Sequence, residues 1–218
     1  MAAVDRIRVL VVGDAGVGKT SFVHLMCHNK PIVNPVWTIG CCAEVKLHDY
    51  KAGTPAEKQY LVELWDIGGW SEYQKARSIF YNPVHGIILV HDLTNRKSQQ
   101  NLRKWLSEIV NIDSKDVQHN DYDYDVEQFA GSSIPMLFIG TKTDLAHTMR
   151  GKKRHGSNSL AEECGAEEIH VDCTMKKSLT PGTSSTLKLS RFLDKVIDKY
   201  YNRDGNVSIM MEQDSSTA

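Results

Sequence analysis

The chain has 218 residues, of which 41% are apolar and 24% are charged, and its formal net charge is −1. This length and composition predict one globular α/β domain, and the near-neutral charge excludes a general attraction to nucleic acid or to an acidic membrane. The five cysteines show no disulfide framework and no C-x-x-C spacing, and the sequence has no apolar signal core. We therefore expect a cytoplasmic protein with reduced thiols.

Six apolar runs bounded by turn signals predict six β-strands, at 6–12, 40–49, 58–65, 86–91, 134–140 and 168–172. Helical periodicity between most of these runs predicts a largely parallel sheet with helices on both faces. The second and third strands are separated by a turn too short for a helix, so they should form an antiparallel edge hairpin. One apolar stripe predicts a C-terminal helix that covers the sheet, with the residues Leu189, Phe192, Leu193, Val196, Ile197 and Tyr200.

The predicted domain covers residues 1–203 and contains two insertions. The insertion near 112–133 is acidic and the one near 147–156 is basic, and solvated loops are the simplest interpretation of both. The polar segment 204–218 has little periodicity and is predicted to be a flexible tail.

A phosphate-binding loop is the most specific motif of the chain. Residues 13–21 read GDAGVGKTS, which contains G-x-x-x-x-G-K-[ST], and they lie between a predicted strand and a predicted helix. Gly13, Gly16 and Gly18 can take positive φ and turn backbone N–H groups inward, where the helix N-terminus adds partial positive charge. Lys19 supplies a full charge for the phosphates, and Thr20 offers a hydroxyl to Mg²⁺.

Two further motifs narrow the class of nucleotide-binding protein. Asp66 ends the third strand and Gly69 follows three residues later, so this carboxylate can hold Mg²⁺ and the glycine amide can reach a γ-phosphate. After the fifth strand comes Thr141-Lys142-Thr143-Asp144, in which the Asp144 carboxylate can accept both guanine N–H donors, a pattern that adenine does not offer.

In the order and spacing of these motifs the chain resembles the Ras-like small GTPases, and the Rab branch in particular, over residues 6–203. The resemblance implies the P-loop GTPase fold, GTP or GDP with Mg²⁺ as cofactors, and Thr38 as the switch residue that binds metal and γ-phosphate. It also implies that Asp172, Cys173 and Thr174 form a loop against the base. The expected metal ligands are Thr20, Thr38 and Asp66. The expected nucleotide contacts are Gly13, Asp14, Ala15, Gly16, Val17, Gly18, Lys19, Thr20, Ser21, Thr38, Gly69, Thr141, Lys142, Asp144, Asp172, Cys173 and Thr174.

The chain departs from the family pattern at four positions. Thr141 replaces an Asn whose amide ties the phosphate loop to the base, Pro31 replaces an aromatic at the base edge, and Ala15 stands where many relatives carry Gly or Ser. The Gln that orients the attacking water is replaced by Trp70, which has no acceptor for a water proton. We therefore expect weaker nucleotide binding and weak or absent hydrolysis, and we assign no catalytic residue.

The resemblance also implies partners. Effector or regulator proteins should bind the switch loops, which are the loop around Thr38 and the segment from Asp66 to Ser78. A homodimer and a link to the prenylation machinery of small GTPases are further hypotheses. No cysteine follows Cys173, so we expect no prenyl anchor on the sequence as given.

Three functions remain open from the sequence. The favoured hypothesis is a regulatory GTPase switch with slow hydrolysis, and the alternative is a constitutively GTP-loaded, dimeric binding protein. A nucleoside or small-molecule kinase fits less well, because it would make the Asp66 and Asp144 motifs coincidental. A separate pair, His24 and His28, has the spacing of a zinc-binding helix, but no third ligand is evident, so solvent-facing or packed histidines are expected.

Overall fold

The β-strands form at the six predicted apolar runs. In the computed structural model they span Arg6–Val12 (β1), Cys41–Tyr50 (β2), Lys58–Ile67 (β3), Gly86–Asp92 (β4), Met136–Thr141 (β5) and Glu167–Val171 (β6). The structure describes the backbone of residues 5–110, 134–148 and 159–214, and the side chains of residues 5–110, 134–146 and 159–200.

The α-helices of the described ranges follow most of the strands. They span Lys19–His28 (α1), Gln74–Arg77 (α2), Arg96–Gln100 (α3), Leu102–Val110 (α4), Thr143–Thr148 (α5), Leu160–Glu163 (α6) and Ser184–Asp214 (α7). None of the helices in the described part of the chain combines the length and the apolar character that a membrane span requires.

The strands form one sheet in the order β2-β3-β1-β4-β5-β6. β2 and β3 pair antiparallel, with Cys41 opposite Ile67 and Tyr50 opposite Lys58, whereas the other neighbours pair parallel. The predicted mostly parallel sheet and its antiparallel edge hairpin are confirmed. Because the parallel strands share one direction, the carboxyl ends of β1, β3, β4, β5 and β6 meet at one edge, where open α/β sheets bind their ligands.

The sheet has one layer of buried apolar side chains on each face, and helices cover both layers. Alternate residues of β1 divide between them: Val9 and Val11 join the layer under α1 and α7, and Leu10 and Val12 join the layer under α4. The predicted C-terminal stripe is buried from Leu189 to Ile197, and Tyr200 packs at its margin.

Three sequence predictions fall wholly or partly beyond the described residues. All of the acidic segment 112–133 and most of the basic segment 147–156 lie outside them. The backbone of α7 is helical as far as Asp214, which is past the predicted start of the tail at 204. The flexibility of 204–218 stays a prediction.

Candidate functional site

The phosphate loop connects β1 to α1 at the carboxyl edge of the sheet. Gly13, Gly16 and Gly18 all have positive φ, at 144°, 74° and 96°. A Cβ atom at Gly13 would lie 2.1 Å from the carbonyl oxygen of Val90, so the loop passes too close to β4 for any other residue. The backbone therefore turns as a loop that cradles phosphates must turn.

Lys19 is held inside this loop by the loop itself. Its Nζ donates hydrogen bonds to the carbonyl oxygens of Gly13 at 2.8 Å and Asp14 at 2.9 Å, and only 6% of the residue is exposed. Burial lowers the pKa of Lys19 to about 8, although the charges of Asp66 and Asp14 oppose the shift. A phosphate anion would favour the charged form of this ammonium group, so the position is suited to an anionic ligand.

The carboxylate of Asp14 forms hydrogen bonds with the α3–α4 segment and does not point into the phosphate loop. It accepts hydrogen bonds from Asn101 Nδ2 at 2.7 Å and from Trp105 Nε1 at 3.0 Å. Asp14 thus contributes its backbone to the loop, while its side chain ties the loop to the α3–α4 segment.

The three predicted metal ligands meet in one cluster. The Thr20 hydroxyl donates to Asp66 Oδ2 at 2.5 Å, the Thr38 hydroxyl donates to the same oxygen at 3.1 Å, and the two hydroxyl oxygens lie 3.0 Å apart. Asp66 is 1% exposed, and its other oxygen, Oδ1, is buried with no hydrogen-bond partner among the described residues. Burial raises the pKa of Asp66, and the hydrogen bonds from Thr20 and Thr38 and the charge of Lys19 oppose this rise.

The ligand chemistry of this cluster fits Mg²⁺. The cation prefers hard oxygen ligands, and the cluster offers two hydroxyls and one carboxylate. A buried carboxylate oxygen without a partner is costly, and a divalent cation or its bound water would satisfy it.

Gly68 and Gly69 pack tightly between the phosphate loop and the loop that carries Thr38. A Cβ atom at Gly69 would lie 2.4 Å from the Ala15 nitrogen, and one at Gly68 would lie 2.7 Å from the carbonyl oxygen of Thr38. Neither position can carry a side chain without moving its neighbours. Gly69 is therefore placed beside the loop that would hold the phosphates.

Two tryptophans line the cavity over this loop. The cavity has a volume of about 250 Å³ and is bordered by the phosphate loop, by residues 35–38, and by Gly69, Trp70 and Lys142. The rings of Trp37 and Trp70 lie 5.3 Å apart, and Trp37 also passes close to Gly16. The backbone carbonyl of Trp70 accepts a hydrogen bond from Arg77 Nη1 at 3.1 Å. Sequence reasoning identified Trp70 but missed Trp37, whose position depends on the path of an irregular loop.

Arg77 is itself fixed by a buried ion pair. Its Nε and Nη2 donate to the two oxygens of Glu108, both at 2.6 Å, and the Tyr81 hydroxyl donates to Glu108 Oε1 at 2.6 Å. The side chains of Arg77 and Glu108 are 7% and 12% exposed. Since Glu108 lies on α4, this pair anchors the segment that carries Trp70 to the body of the domain. No motif in the sequence pointed to it.

The Thr141 hydroxyl connects β5 to the phosphate loop, as the Asn amide does in the family pattern. It donates to the Val17 carbonyl oxygen at 2.5 Å, or to the His91 carbonyl oxygen at 3.0 Å, and the residue is 1% exposed. A hydroxyl thus ties the phosphate loop to β5, where the family uses an amide.

The other predicted base contacts surround the same end of β5 and β6. Lys142 has φ 59° and its Nζ donates to Asp92 Oδ2 at 2.6 Å, a partner that the sequence analysis did not include. Asp144 is exposed on α5 and lies near enough to Cys173 for its charge to act on that thiol. Burial first, then Asp172 and Asp144, raise the pKa of Cys173 to about 12, so its thiol is protonated at neutral pH.

The loop after β6 is shaped by one carboxylate. Asp172 Oδ1 accepts hydrogen bonds from the Thr174 nitrogen at 2.8 Å and from the Thr174 hydroxyl at 2.6 Å. This turn sets the path of the backbone around Cys173. The predicted base contacts of β5 and β6 therefore lie at the same sheet edge as the phosphate loop.

Comparisons with known proteins agree with this geometry. Residues 8–180 match the model of the Ras family. The chain is 53% identical to Rab-like protein 3 of Mus musculus and 50% identical to Rab-like protein 3 of Danio rerio, each over 94% of this chain and 91% of the relative. It is 36% identical to small GTPase LIP1 of Arabidopsis thaliana, over 84% of this chain and 52% of that protein.

Proposed function

Since the chain belongs to the Ras family of small GTPases, which are GTP-binding regulatory proteins, we propose that it binds GTP and GDP with Mg²⁺ and acts as a cytoplasmic regulatory switch with slow hydrolysis. The observation that carries this proposal is the convergence of the Thr20 and Thr38 hydroxyls on the buried Asp66 carboxylate. Thr38 comes from the loop between α1 and β2, so a ligand at this cluster would act directly on that loop.

Each element of the site has a defined role in holding the nucleotide. Bound Mg²⁺ would neutralise phosphate charge, and Lys19 and the backbone of the phosphate loop would bind the phosphate oxygens. Thr20 and Asp66 would hold the metal from rigid elements, whereas Thr38 would hold it from the switch loop. Asp144 would select guanine, and Lys142, fixed by Asp92, would cover the base with its aliphatic stem.

The chemistry of the Trp70 side chain supports the proposal that hydrolysis is slow. Its indole has one donor and no acceptor, so it cannot orient a water molecule through the proton that the water must lose. The ring borders the cavity over the phosphate loop and contacts Trp37, so it takes space where a polar side chain would admit water. Charge stabilisation by Lys19 and the metal would remain, which is why we propose slow rather than absent turnover.

An exposed apolar surface around the switch loops supports partner binding. Val36, Trp37 and Ile39 are 80%, 65% and 77% exposed, and they belong to the loop that carries Thr38. Val45 and Leu47 on β2, and Tyr73 and Ile79 in the segment after Trp70, are also exposed. Exposed apolar residues grouped in one segment mark protein interaction sites, so we assign effector or regulator binding, or homodimerisation, to the loop that carries Thr38.

A second function is favoured by the contact between Trp37 and Trp70. If the two rings keep water from the phosphates, the protein would stay loaded with GTP and serve as a dimeric binding protein rather than a cycling switch. Either function, the switch or the GTP-loaded binding protein, is compatible with an influence on the lipidation of other small GTPases, because that influence requires only a surface that binds partners.

Identification of the bound nucleotide separates these two functions. The purified protein would be denatured, the released nucleotide identified by chromatography, and single-turnover GTP hydrolysis followed after reloading. Mostly GDP with measurable turnover supports the switch, whereas mostly GTP with no turnover over many hours supports the GTP-loaded binding protein. Thr20→Asn should weaken GTP more than GDP, and equal affinities in this variant would contradict the metal assignment. Adenine nucleotides bound as tightly as guanine nucleotides would instead indicate a kinase.

A further inference from the structure

A second group of potential metal ligands lies where α1 and β2 flank the loop that carries Thr38. It consists of His24 and His28, one turn apart on α1, and Glu44 on β2. Among the residues that the structure describes, this is the group in which three potential ligand atoms from histidine, cysteine or carboxylate side chains all lie within 4.8 Å of one another. The sequence suggested the histidine pair, and the fold supplies the missing third ligand.

The three side chains face each other because of local periodicity. Residues four apart on a helix share one face, so His24 and His28 lie side by side, with ring centroids 4.5 Å apart. In β2 the side chain of Glu44 points to the same sheet face as Lys46, whose Nζ donates to the Met26 carbonyl oxygen at 3.1 Å. Glu44 is thereby turned toward α1.

Each oxygen of the Glu44 carboxylate lies near one of the two imidazoles. His28 Nε2 lies 2.8 Å from Glu44 Oε2, and His24 Nδ1 lies 3.8 Å from Glu44 Oε1. The side chains of His24 and Glu44 are 28% and 22% exposed, and that of His28 is 53% exposed, so the group is open to solvent on one side.

We propose that His24, His28 and Glu44 form a site for a zinc-class divalent cation that clamps the two flanks of the switch loop. Two imidazoles and one carboxylate form an established zinc ligand set, with a fourth position left for water. Ligand atoms around tetrahedral zinc are about 3.4 Å apart, given bond lengths of about 2.0–2.2 Å. The observed separations reach this value through small rotations of partly exposed side chains.

The clamp would act on the segment that carries Thr38. α1 ends at His28 and β2 begins at Cys41, so a cation bound by α1 and Glu44 closes a loop around residues 29–43. Closing a loop removes conformational freedom from the chain within it. The site would therefore restrain the switch loop independently of the nucleotide, and the inference does not rest on the function proposed above.

Zinc binding to the tag-free protein as purified, in excess Mg²⁺, tests the site directly, by competition with a chromophoric chelator. Excess Mg²⁺ keeps zinc from the Thr20 and Asp66 cluster. We expect one equivalent of zinc for the parent protein and binding at least roughly tenfold weaker for His28→Ala and for Glu44→Gln. The Gln variant keeps the size of the side chain, so it separates lost coordination from lost folding.

Matched controls exclude unspecific binding. His170 is 54% exposed and lies 3.3 Å from Glu168, whose same oxygen lies 2.9 Å from the buried His91. Among the described residues these three do not form a group whose ligand atoms all lie within 4.8 Å of one another, so the group is a matched comparison. His170→Ala and the exposed-thiol variant Cys42→Ser should bind zinc like the parent. Binding that is unchanged in both His28→Ala and Glu44→Gln, or no stoichiometric binding by the parent, would overturn the site.

Hydrogen exchange tests the clamp. Zinc should slow amide exchange in residues 29–43 several-fold in the parent and leave it unchanged in His28→Ala. Stoichiometric zinc binding with the same exchange rates in this segment would overturn the clamp.

Discussion

Replacement of Thr141 by Val removes a buried hydroxyl that joins β5 to the phosphate loop. The side chain is 1% exposed and donates to the Val17 carbonyl oxygen at 2.5 Å, so the variant keeps a β-branched shape but loses this donor. A lost hydrogen bond costs about 1 kcal/mol, and a buried acceptor left without a donor costs about 1–3 kcal/mol. The free energy of unfolding should therefore fall by about 1–3 kcal/mol in Thr141→Val.

Part of that loss should appear in nucleotide binding, because the hydroxyl ties the phosphate loop to the strand that precedes Lys142. A loss of about 1.4 kcal/mol in affinity corresponds to a tenfold change, so we expect GDP to dissociate about tenfold faster. Urea unfolding and the release of a fluorescent GDP analogue measure the two effects. Thr141→Ser is the matched control, since it keeps the hydroxyl and should stay nearer to the parent. If the Val and Ser variants unfold at the same urea concentration and release GDP at the same rate, the hydroxyl is not a tie between loop and strand.

Three other substitutions test separate parts of the site. Asp144→Ala should abolish the preference for guanine, measured as the ratio of GDP to ADP affinity, and a retained ratio would refute the assignment of the base contact. Trp70→Gln should raise the single-turnover hydrolysis rate, and an unchanged rate would place the defect elsewhere. Glu108→Gln should lower the free energy of unfolding by about 3–5 kcal/mol, because it leaves the buried Arg77 charge without its partner. Arg103→Ala breaks a more exposed ion pair and should cost less than about 1 kcal/mol; equal losses in chemical denaturation would contradict the argument.

The sequence predicted features whose physical cause is local. The six strands follow from apolar runs, and the phosphate loop follows from glycines that must take positive φ between a strand and a helix. The meeting of Thr20 with Asp66 could also be expected, because Thr20 follows β1, Asp66 lies near the end of β3, and these parallel strands end at one edge of the sheet.

Features that depend on packing between distant residues were not predictable in the same way. The acceptor of the Thr141 hydroxyl lies 124 residues away, and only the path of the phosphate loop places the Val17 carbonyl beneath it. Glu44 completes the histidine group because of the direction in which β2 faces α1, which no spacing along the chain encodes. Trp37 reached the cavity through an irregular loop, so periodicity gave no signal for it.

The exposure of the switch loop explains why ligands should control it. Between His28 and Cys41 the chain forms no helix or strand, and Val36, Trp37 and Ile39 remain more than 60% exposed, so burial contributes little to its order. Ordering a residue costs roughly 1–2 kcal/mol, whereas the hydrogen bond from Thr38 to Asp66 is worth about 1 kcal/mol. This hydrogen bond by itself does not offset the cost of ordering the loop. A metal-bound nucleotide at Thr38 and a cation held between His28 and Glu44 would each add interaction energy to the same segment, so the loop can report on both.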